Sequence, residues 1–378
     1  MGKKKLTEQQ RRQQKRKKLA KRRRRRKIFI VVELLILLVL GVGVYAASKY
    51  DLMNINPIDR ENVMMNDEVA GNKELKAYTN IALFGIDSRD ESLGDGNRSD
   101  TIMVASINNK TKEIKMVSVY RDTYLFIPKE NSTYDKANLG YFYGGPELAI
   151  NELNRNLDLD ITDYVAVNFS ALIDTIDAFG GIDVEITEKE CFYINGYMTE
   201  TSEITGKEKV ELYESGLVHL NGMQATAFCR IRFVPTVNGT NDDYGRTERQ
   251  RLVISKIAEK AKQADLATLN KVMDAVLPNI STSLTVKEMV GLLSGIAKYE
   301  LVDNAGFPFE KTATGMGSKG DCVVPVDLEY NVKELHRFLF GVEDYIVSGA
   351  VKEISDRIIE VSGLKHKETE TIGGSSTE

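Results

Sequence analysis

Arginine and aspartate residues recur in three short motifs that together suit a multiply charged phosphate ligand. The motifs occupy 85–101, 119–123 and 229–250, and their arginines of interest are Arg89, Arg98, Arg121, Arg230, Arg232 and Arg246. A guanidinium group can donate two parallel hydrogen bonds to a phosphate, which an ammonium group cannot do. Carboxylates beside these arginines can hold a divalent cation. The motifs therefore predict a site for a phosphate ester with a bound divalent cation.

Two aspartates of the first motif are candidate metal ligands. Asp87 follows a predicted strand, and Asp100 lies thirteen residues later beside the end of the next one. Mg²⁺ typically takes one or two protein carboxylates and completes its shell with water and phosphate oxygens. We therefore expect Mg²⁺, or Mn²⁺, at Asp87 and Asp100. The alternative is that both acids only form ion pairs with Arg89 and Arg98.

The second motif and the start of the third supply further cations. Arg121 ends a predicted strand, where ligands gather in α/β folds; a surface salt bridge is the alternative. Arg230 and Arg232 are two residues apart, so an extended backbone would point both to one face, where an anion between them would relieve their repulsion. Lys136 adds a further positive charge, unless it is an ordinary surface lysine.

The rest of the third motif is predicted to open a helix. Arg246 and Gln250 are four residues apart and share one face of its first turns, where backbone N–H groups favour an anion. Asp243 either caps this helix or instead orients Arg246 or helps to bind metal. Arg249 and Arg251 fall on other faces, and we expect them in solvent.

The three cysteines match no zinc pattern. Cys191 and Cys322 can form a disulfide outside a membrane, or all three can be buried as small apolar residues. Cys229 has no histidine near it in sequence to activate it as a nucleophile, so we expect a core residue.

The N-terminus is typical of a membrane anchor. Residues 1–27 contain sixteen Lys and Arg against one acidic residue, a charge of +15, whereas the remainder carries −19. Residues 28–47 are almost entirely apolar and, at about 20 residues, are long enough to cross a bilayer as a helix. The positive-inside rule predicts a cytoplasmic basic tail and an extracytoplasmic remainder on a single-pass cell-membrane protein. A signal peptide cleaved near 44–47 is the alternative. The basic tail favours anionic lipid rather than nucleic acid.

Strand and helix patterns alternate after a polar stretch at 48–78 that we interpret as a stalk. This alternation predicts a layered α/β domain over 79–345, with its core at 79–262. The predicted strands are 79–84, 101–107, 114–119, 164–168 and 182–186, and the predicted helices are 147–157, 170–179, 220–228, 246–262, 286–299, 331–340 and 351–361. Residues 187–220 are expected to be irregular, 346–362 to form a C-terminal helix, and 363–378 to be disordered.

The motifs, taken in order, resemble those of the LytR–CpsA–Psr family of cell-wall glycopolymer ligases. They read GIDSR, RSDT, YRDT, KAN with GGPE, VNF, AFGGID, LNG-x-QA, RIR and D-x-GRTERQ. The resemblance covers about half the chain, from Thr79 to Lys262. It implies a central mixed sheet flanked by helices. It also implies a phosphotransferase that moves a polyprenyl-pyrophosphate-linked polymer, such as a teichoic acid or a capsular polysaccharide, onto peptidoglycan.

The resemblance further assigns roles to residues. Asp87 and Asp100 would hold Mg²⁺ at the pyrophosphate, and a deep apolar groove roofed by helices would take the prenyl tail. The residues expected at the pyrophosphate are Arg89, Arg98, Arg121, Lys136, Arg230, Arg232, Arg246 and Gln250. Arg121 and Asp243 are the expected catalytic residues, with Asp122 a second candidate base. The rival functions are a non-catalytic binder of the same lipid, a lipid pyrophosphatase, and a transcriptional attenuator.

Overall fold

A seven-stranded mixed sheet forms the centre of the part of the chain that the structure describes, residues 54–61 and 63–366 of a computed structural model. Its strand order is β1-β10-β7-β2-β3-β4-β11. The strands are β1 Asn54–Ile55, β2 Tyr78–Asp87, β3 Arg98–Asn108, β4 Glu113–Val119, β5 Tyr124–Ile127, β6 Thr133–Lys136, β7 Asp163–Val167, β8 Ile182–Ile186, β9 Gly216–Leu220, β10 Ile280–Thr282, β11 Glu300–Phe307, β12 Lys311–Gly315 and β13 Asp321–Pro325. The strands outside this sheet pair as β5 with β6, β8 with β9 and β12 with β13.

Helices cover both faces of this sheet, as predicted for an α/β fold. They are α1 Asp67–Ala70, α2 Asn138–Leu157, α3 Phe169–Ala178, α4 Glu188–Thr205, α5 Gly222–Arg230, α6 Asp242–Gln263, α7 Leu266–Val276, α8 Val286–Ser294, α9 Leu328–Phe340 and α10 Gly349–Ser362. The expected central mixed sheet flanked by helices is therefore confirmed.

Strand direction brings the predicted motifs to one edge of the sheet. β2 is antiparallel to β3, β3 is antiparallel to β4, and β7 is parallel to β2. The carboxyl ends of β2, β4 and β7 and the start of β3 therefore meet at the same edge. Asp87 ends β2, Arg98 begins β3, and Arg121 follows β4 by two residues.

The two faces of β2 have different surroundings, because successive side chains point to opposite sides of a strand. Ala82, Phe84 and Ile86 are buried in the main hydrophobic core, which they share with α2, α9 and α10. Leu83 and Asp87 belong to the alternate set, which faces α3 and α6. The site therefore forms on the second face.

A second hydrophobic core lies among α3, α4, α5, β8 and β9. It contains Cys191 and Cys229, whereas Cys322 belongs to the main core. All three are free and buried, so the alternative of a Cys191–Cys322 disulfide is not realised.

The structure differs from the sequence-based predictions in two segments. The region 187–220, expected to be irregular, contains helix α4 and strand β9. Thr187 and Glu190 form a capping box that begins α4, and their three-residue spacing is a helix-start signal already present in the sequence. The polar segment expected to be a stalk contributes β1, and its Val69 and Leu75 are buried in the main core.

The membrane anchor predicted at 28–47 and most of the predicted tail at 363–378 lie outside the described residues. Within 54–61 and 63–366, no helix is both long enough and apolar enough to span a bilayer.

Candidate functional site

Asp100 lies at the centre of a cluster of three arginines drawn from distant parts of the chain. Arg121 Nη1 donates to both of its carboxylate oxygens, at 2.8 and 2.9 Å. Arg232 Nη2 and Arg246 Nη1 donate to Oδ2 at 3.2 and 3.1 Å. The second and third motifs therefore converge on a residue of the first, as the sequence predicted.

A β-bulge aims Asp100 into this cluster. Gly85 pairs with Thr101 and Ile86 pairs with Ser99, so Asp100 is the extra residue between two paired positions. A bulge interrupts the ladder locally and re-aims a side chain. Gly85 is required opposite the bulge, because a Cβ atom there would lie 2.8 Å from Cβ of Thr101.

The arginines keep Asp100 ionised. Desolvation alone would raise the pKa of its carboxyl group, but the charges of Arg246 and Arg121, with the hydrogen bond from Arg121, outweigh it and lower the pKa. Three guanidinium groups surround this carboxylate, and the carboxylates of Asp243 and Asp122 lie beside two of them. The cluster therefore brings positive and negative groups together in equal number.

Asp243 lies in the first turn of α6, beside the same arginines. Its Oδ1 is 2.6 Å from Arg246 Nη2 and 3.7 Å from Arg121 Nε. Both of its oxygens are buried and form no hydrogen bond with another described residue. Desolvation raises the pKa of Asp243 despite the neighbouring arginines. Asn241 occupies the N-cap position, so of the two predicted roles the structure favours orientation of Arg246 over capping.

A cavity of about 490 Å³ extends from this cluster between the sheet and helices α3 and α6. Its deep part is apolar and is lined by residues that include Leu83, Val165, Val167, Phe169, Leu172, Val253, Ile254 and Ile257. Its polar end is lined by Asp87, Asp100, Arg230, Arg232, Arg246 and Gln250. The apolar groove with helices over it and charged residues at one end, which the family resemblance implied, is thus present.

Arg230 reaches this cavity from a helix rather than from a strand. It is the last residue of α5, so the condition of an extended backbone at both Arg230 and Arg232 is not met at Arg230. Its guanidinium lies 4.7 Å from the ring centroid of Phe169 and donates to Oγ1 of Thr201 at 2.8 Å. The helix ends at Arg230 because Ile231 turns to an extended backbone, which carries Arg232 toward Asp100.

A second cavity, of about 400 Å³, is lined by three of the residues that were predicted to bind the pyrophosphate. Arg98, Arg121 and Lys136 line it, together with Asp122 and Lys319. Asp122 lies 3.4 Å from the ammonium group of Lys136 and 3.5 Å from Arg121 Nε. The predicted phosphate ligands are therefore divided between two cavities. Arg89 is exposed and lines neither of them.

Asp87 and Asp100 both face the first cavity, where a cation would sit. Desolvation raises the pKa of Asp87, and the negative charge of Asp100 raises it further. No cluster of three or more His, Cys, Asp or Glu side chains suited to a metal occurs among the described residues. Mg²⁺ nevertheless needs only one or two protein carboxylates when its ligand supplies phosphate oxygens. The cavity therefore offers the two carboxylates that such an ion takes from a protein, and the ion would share Asp100 with three arginines.

Arg249 does not lie in solvent, so the expectation for this residue is wrong. Its side chain is fully buried, and its nitrogens donate to the carbonyl oxygens of Ile231 and Val234, at 3.2 and 2.6 Å. These carbonyls flank Arg232, so Arg249 fixes the loop that presents it. Arg251 is partly buried and donates to Asn304 Oδ1 at 2.8 Å. The helical spacing identified the face of Arg246 and Gln250 but not what packs on the opposite face.

The structure is a mixed α/β fold in which a cluster of arginines and aspartates adjoins an apolar cavity. Residues 44–318 match the model of the LytR_cpsA_psr family, and the chain belongs to this family.

Named relatives include the polyisoprenyl-teichoic acid–peptidoglycan teichoic acid transferase TagU of Enterococcus faecalis. It is 31% identical over 254 residues, which cover 67% of this chain and 77% of TagU. The TagU of Bacillus cereus strain AH820 is 31% identical over 261 residues, with the same coverage.

Solved structures share the fold. TagT bound to LI-WTA is 25% identical, with a TM-score of 0.56 over 76% of this chain and 100% of TagT. A protein of Enterococcus faecalis described as a transcriptional regulator is 27% identical, with a TM-score of 0.58 over 78% of this chain and 99% of its own.

Proposed function

We propose that this protein is a phosphotransferase that moves a polyprenyl-pyrophosphate-linked glycopolymer, of the teichoic acid type, onto a hydroxyl group of peptidoglycan. The observation that carries the proposal is the junction of an apolar cavity with a cluster of Arg121, Arg232 and Arg246. A lipid diphosphate has the same two parts, an apolar tail and a compact anionic head. The TagU relatives, at 31% identity, are named for this transfer.

The chain's own residues would act mainly by position and charge, as is usual in phosphoryl transfer. The apolar lining would hold the prenyl tail, and Arg230, Arg232 and Arg246 would bind the diphosphate. Arg121 would stabilise the negative charge that develops on the leaving polyprenyl phosphate. A Mg²⁺ ion held by Asp87 and Asp100 would withdraw further charge from the diphosphate oxygens.

The transfer replaces one P–O bond by another. The acceptor hydroxyl oxygen bonds to the phosphorus that carries the polymer, and the bond from that phosphorus to the bridging oxygen breaks. The bridging oxygen keeps the electron pair and leaves with the polyprenyl phosphate. Asp243 would accept the hydroxyl proton at Oδ2, since Oδ1 is paired with Arg246 and Oδ2 has no hydrogen-bond partner among the described residues.

The proposed setting is the outer face of the cell membrane, with a single-pass anchor at 28–47. This follows from the charge of residues 1–27 and the apolar run behind them. Reaction with the lipid donor at that face would explain a catalytic domain tethered close to the bilayer. Capsular polysaccharide is a second donor class that the same site chemistry would accept.

The test uses the full-length protein in detergent with a labelled polyprenyl-pyrophosphate-linked teichoic acid precursor and purified peptidoglycan. We expect a covalent polymer–peptidoglycan product that a chelator abolishes and added Mg²⁺ restores. Arg121→Ala should fold normally and form no product. Tight binding without product would instead favour a non-catalytic lipid binder, and release of phosphate without transfer would favour a pyrophosphatase.

A further inference from the structure

We propose that the second cavity is a subsite for a backbone phosphodiester of the transferred polymer. The proposal rests on the proposed function and names the substrate class that this part of the site selects. It makes the enzyme selective for polymers that carry phosphate close to their lipid linkage.

The charge of the cavity favours an anion. Four cations line it, Arg98, Arg121, Lys136 and Lys319, against two carboxylates, Asp122 and Asp135. Asn138 and Ser318 add neutral hydrogen-bonding groups. Lys136 pairs with Asp122, Lys319 with Asp135 and Arg121 with Asp100, whereas Arg98 forms no ion pair with a described residue, so a neutral sugar would leave its charge without a counterion. A phosphodiester supplies one negative charge and two free oxygens that guanidinium and ammonium groups recognise.

The position of the cavity matches the path of the polymer. Arg121 is the wall between the two cavities, because its Nη1 binds Asp100 of the first and its Nε lies 3.5 Å from Asp122 of the second. A donor with its tail in the apolar cavity places its diphosphate at Asp100. The polymer, attached to the opposite end of the diphosphate, then continues past Arg121. Nε of Arg121 lies 3.5 Å from Asp122 and 3.7 Å from Asp243 and forms a hydrogen bond with neither, so the guanidinium group contacts carboxylates on both sides of this boundary.

An ion pair with a buried carboxylate fixes the position of Lys319 in this cavity. Its Nζ lies 2.5 Å from Oδ2 of Asp135, whose side chain is 7% exposed. Lys319 itself belongs to a single turn, Gly317–Lys319, between β12 and β13. The flanking Gly317 and Gly320 both have φ values in the left-handed region, of 60° and 69°. The turn and the ion pair together fix the ammonium group at the cavity wall, so little conformational freedom remains to be lost on binding.

Lys319 is therefore the residue to test, because the proposed transfer mechanism does not use it. The experiment compares two synthetic donors with the same lipid and the same pyrophosphate linkage. One carries a disaccharide followed by glycerol phosphate, and the other carries the disaccharide alone. We expect Lys319→Gln to raise KM for the phosphate-bearing donor about tenfold, the effect of losing one charge-assisted hydrogen bond. KM for the uncharged donor should stay unchanged, as should kcat for both.

Lys333→Gln is the matched control, since Lys333 pairs with Glu329 on α9 and lines neither cavity. A thermal melt confirms that each variant is folded. An equal rise of KM for both donors, or no rise, would overturn the subsite. A rise of KM for peptidoglycan alone would also overturn it and would assign the cavity to the acceptor. If the wild-type protein transfers neither donor, the proposed function fails, and direct binding of the two donors to Lys319→Gln still decides whether the subsite exists.

Discussion

The guanidinium group of Arg249 and the carboxylate of Glu190 form an ion pair that is closed to solvent. Nε lies 2.8 Å from Oε1, and the two side chains are 0% and 1% exposed. The Arg249 nitrogens also hold the carbonyls of Ile231 and Val234 on either side of Arg232. One buried pair thus joins α4 and α6 to the loop that supplies a phosphate ligand.

Arg249→Met should destabilise the protein by roughly 3–5 kcal/mol, because it leaves the Glu190 carboxylate buried without its partner. Arg249→Lys keeps the charge but not the forked geometry, so it should fold and lose kcat as Arg232 becomes less well placed. Thermal melts and transfer assays of both variants would measure these effects. Arg337→Lys, at an exposed arginine, is the control. Wild-type kcat in a folded Arg249→Lys protein would show that the position of Arg232 does not depend on the hydrogen bonds from Arg249.

Asp243 predicts the pH dependence of transfer. A carboxyl group accepts a proton only when it is ionised, and burial raises the pKa of Asp243 from the ordinary aspartate value. The rate should therefore rise with pH through a pKa higher than that of an ordinary aspartate and then level off. Asp243→Asn, of nearly the same shape, should lose this rise together with most of kcat. An unchanged pH profile in that variant would remove Asp243 as the base.

The apolar cavity predicts sensitivity to tail length. Leu172 lines the cavity, so Leu172→Trp should fill part of it and weaken the use of a long-chain donor more than that of a short-chain one. Leu217→Trp is the matched control, because Leu217 is 79% exposed on β9. KM values for the two donors would be compared in each variant. If Leu172→Trp affected both donors equally, the tail would have to bind elsewhere.

His336 predicts an acid-sensitive component of stability. It is buried and stacked on Tyr345 at 3.6 Å, and desolvation lowers its pKa from 6.5 to about 4. The unfolded chain therefore binds a proton between these values that the folded protein does not, so stability is lost as the pH falls from about 6.5 to about 4. The loss should be about 3 kcal/mol.

Denaturant unfolding of the wild type and of His336→Gln across this pH range would isolate the component. The difference in unfolding free energy between the two proteins should shrink as the pH falls. A constant difference would contradict the assignment, whatever other groups titrate in the same interval.

The sequence predicted part of the set of residues that meet, since Arg121, Arg232 and Arg246 converge on Asp100 whereas the exposed Arg89 does not. The residue types restricted the ligand to an anion, and the strand pattern predicted that these residues lie at one edge of the central sheet. The sequence did not predict helix α4, because the charged residues of 187–220 obscured the helical period. It also did not predict the burial of Arg249, because the ion pair with Glu190 depends on a contact between distant segments. Arg98 and Lys136 line the second cavity and not the first, and this separation depends on tertiary packing that the spacing of residues in the sequence does not reveal.

The extra residue at Asp100 makes strand length, and not only side-chain identity, a requirement of the site. Losing one residue between Arg98 and Thr101 would restore a regular ladder, and no extra residue would then be aimed into the arginine cluster. Relatives that keep the chemistry should therefore tolerate exchanges at Ser99 but neither insertions nor deletions in this stretch. A relative with a gap between the positions of Arg98 and Thr101 should therefore lack the transfer activity.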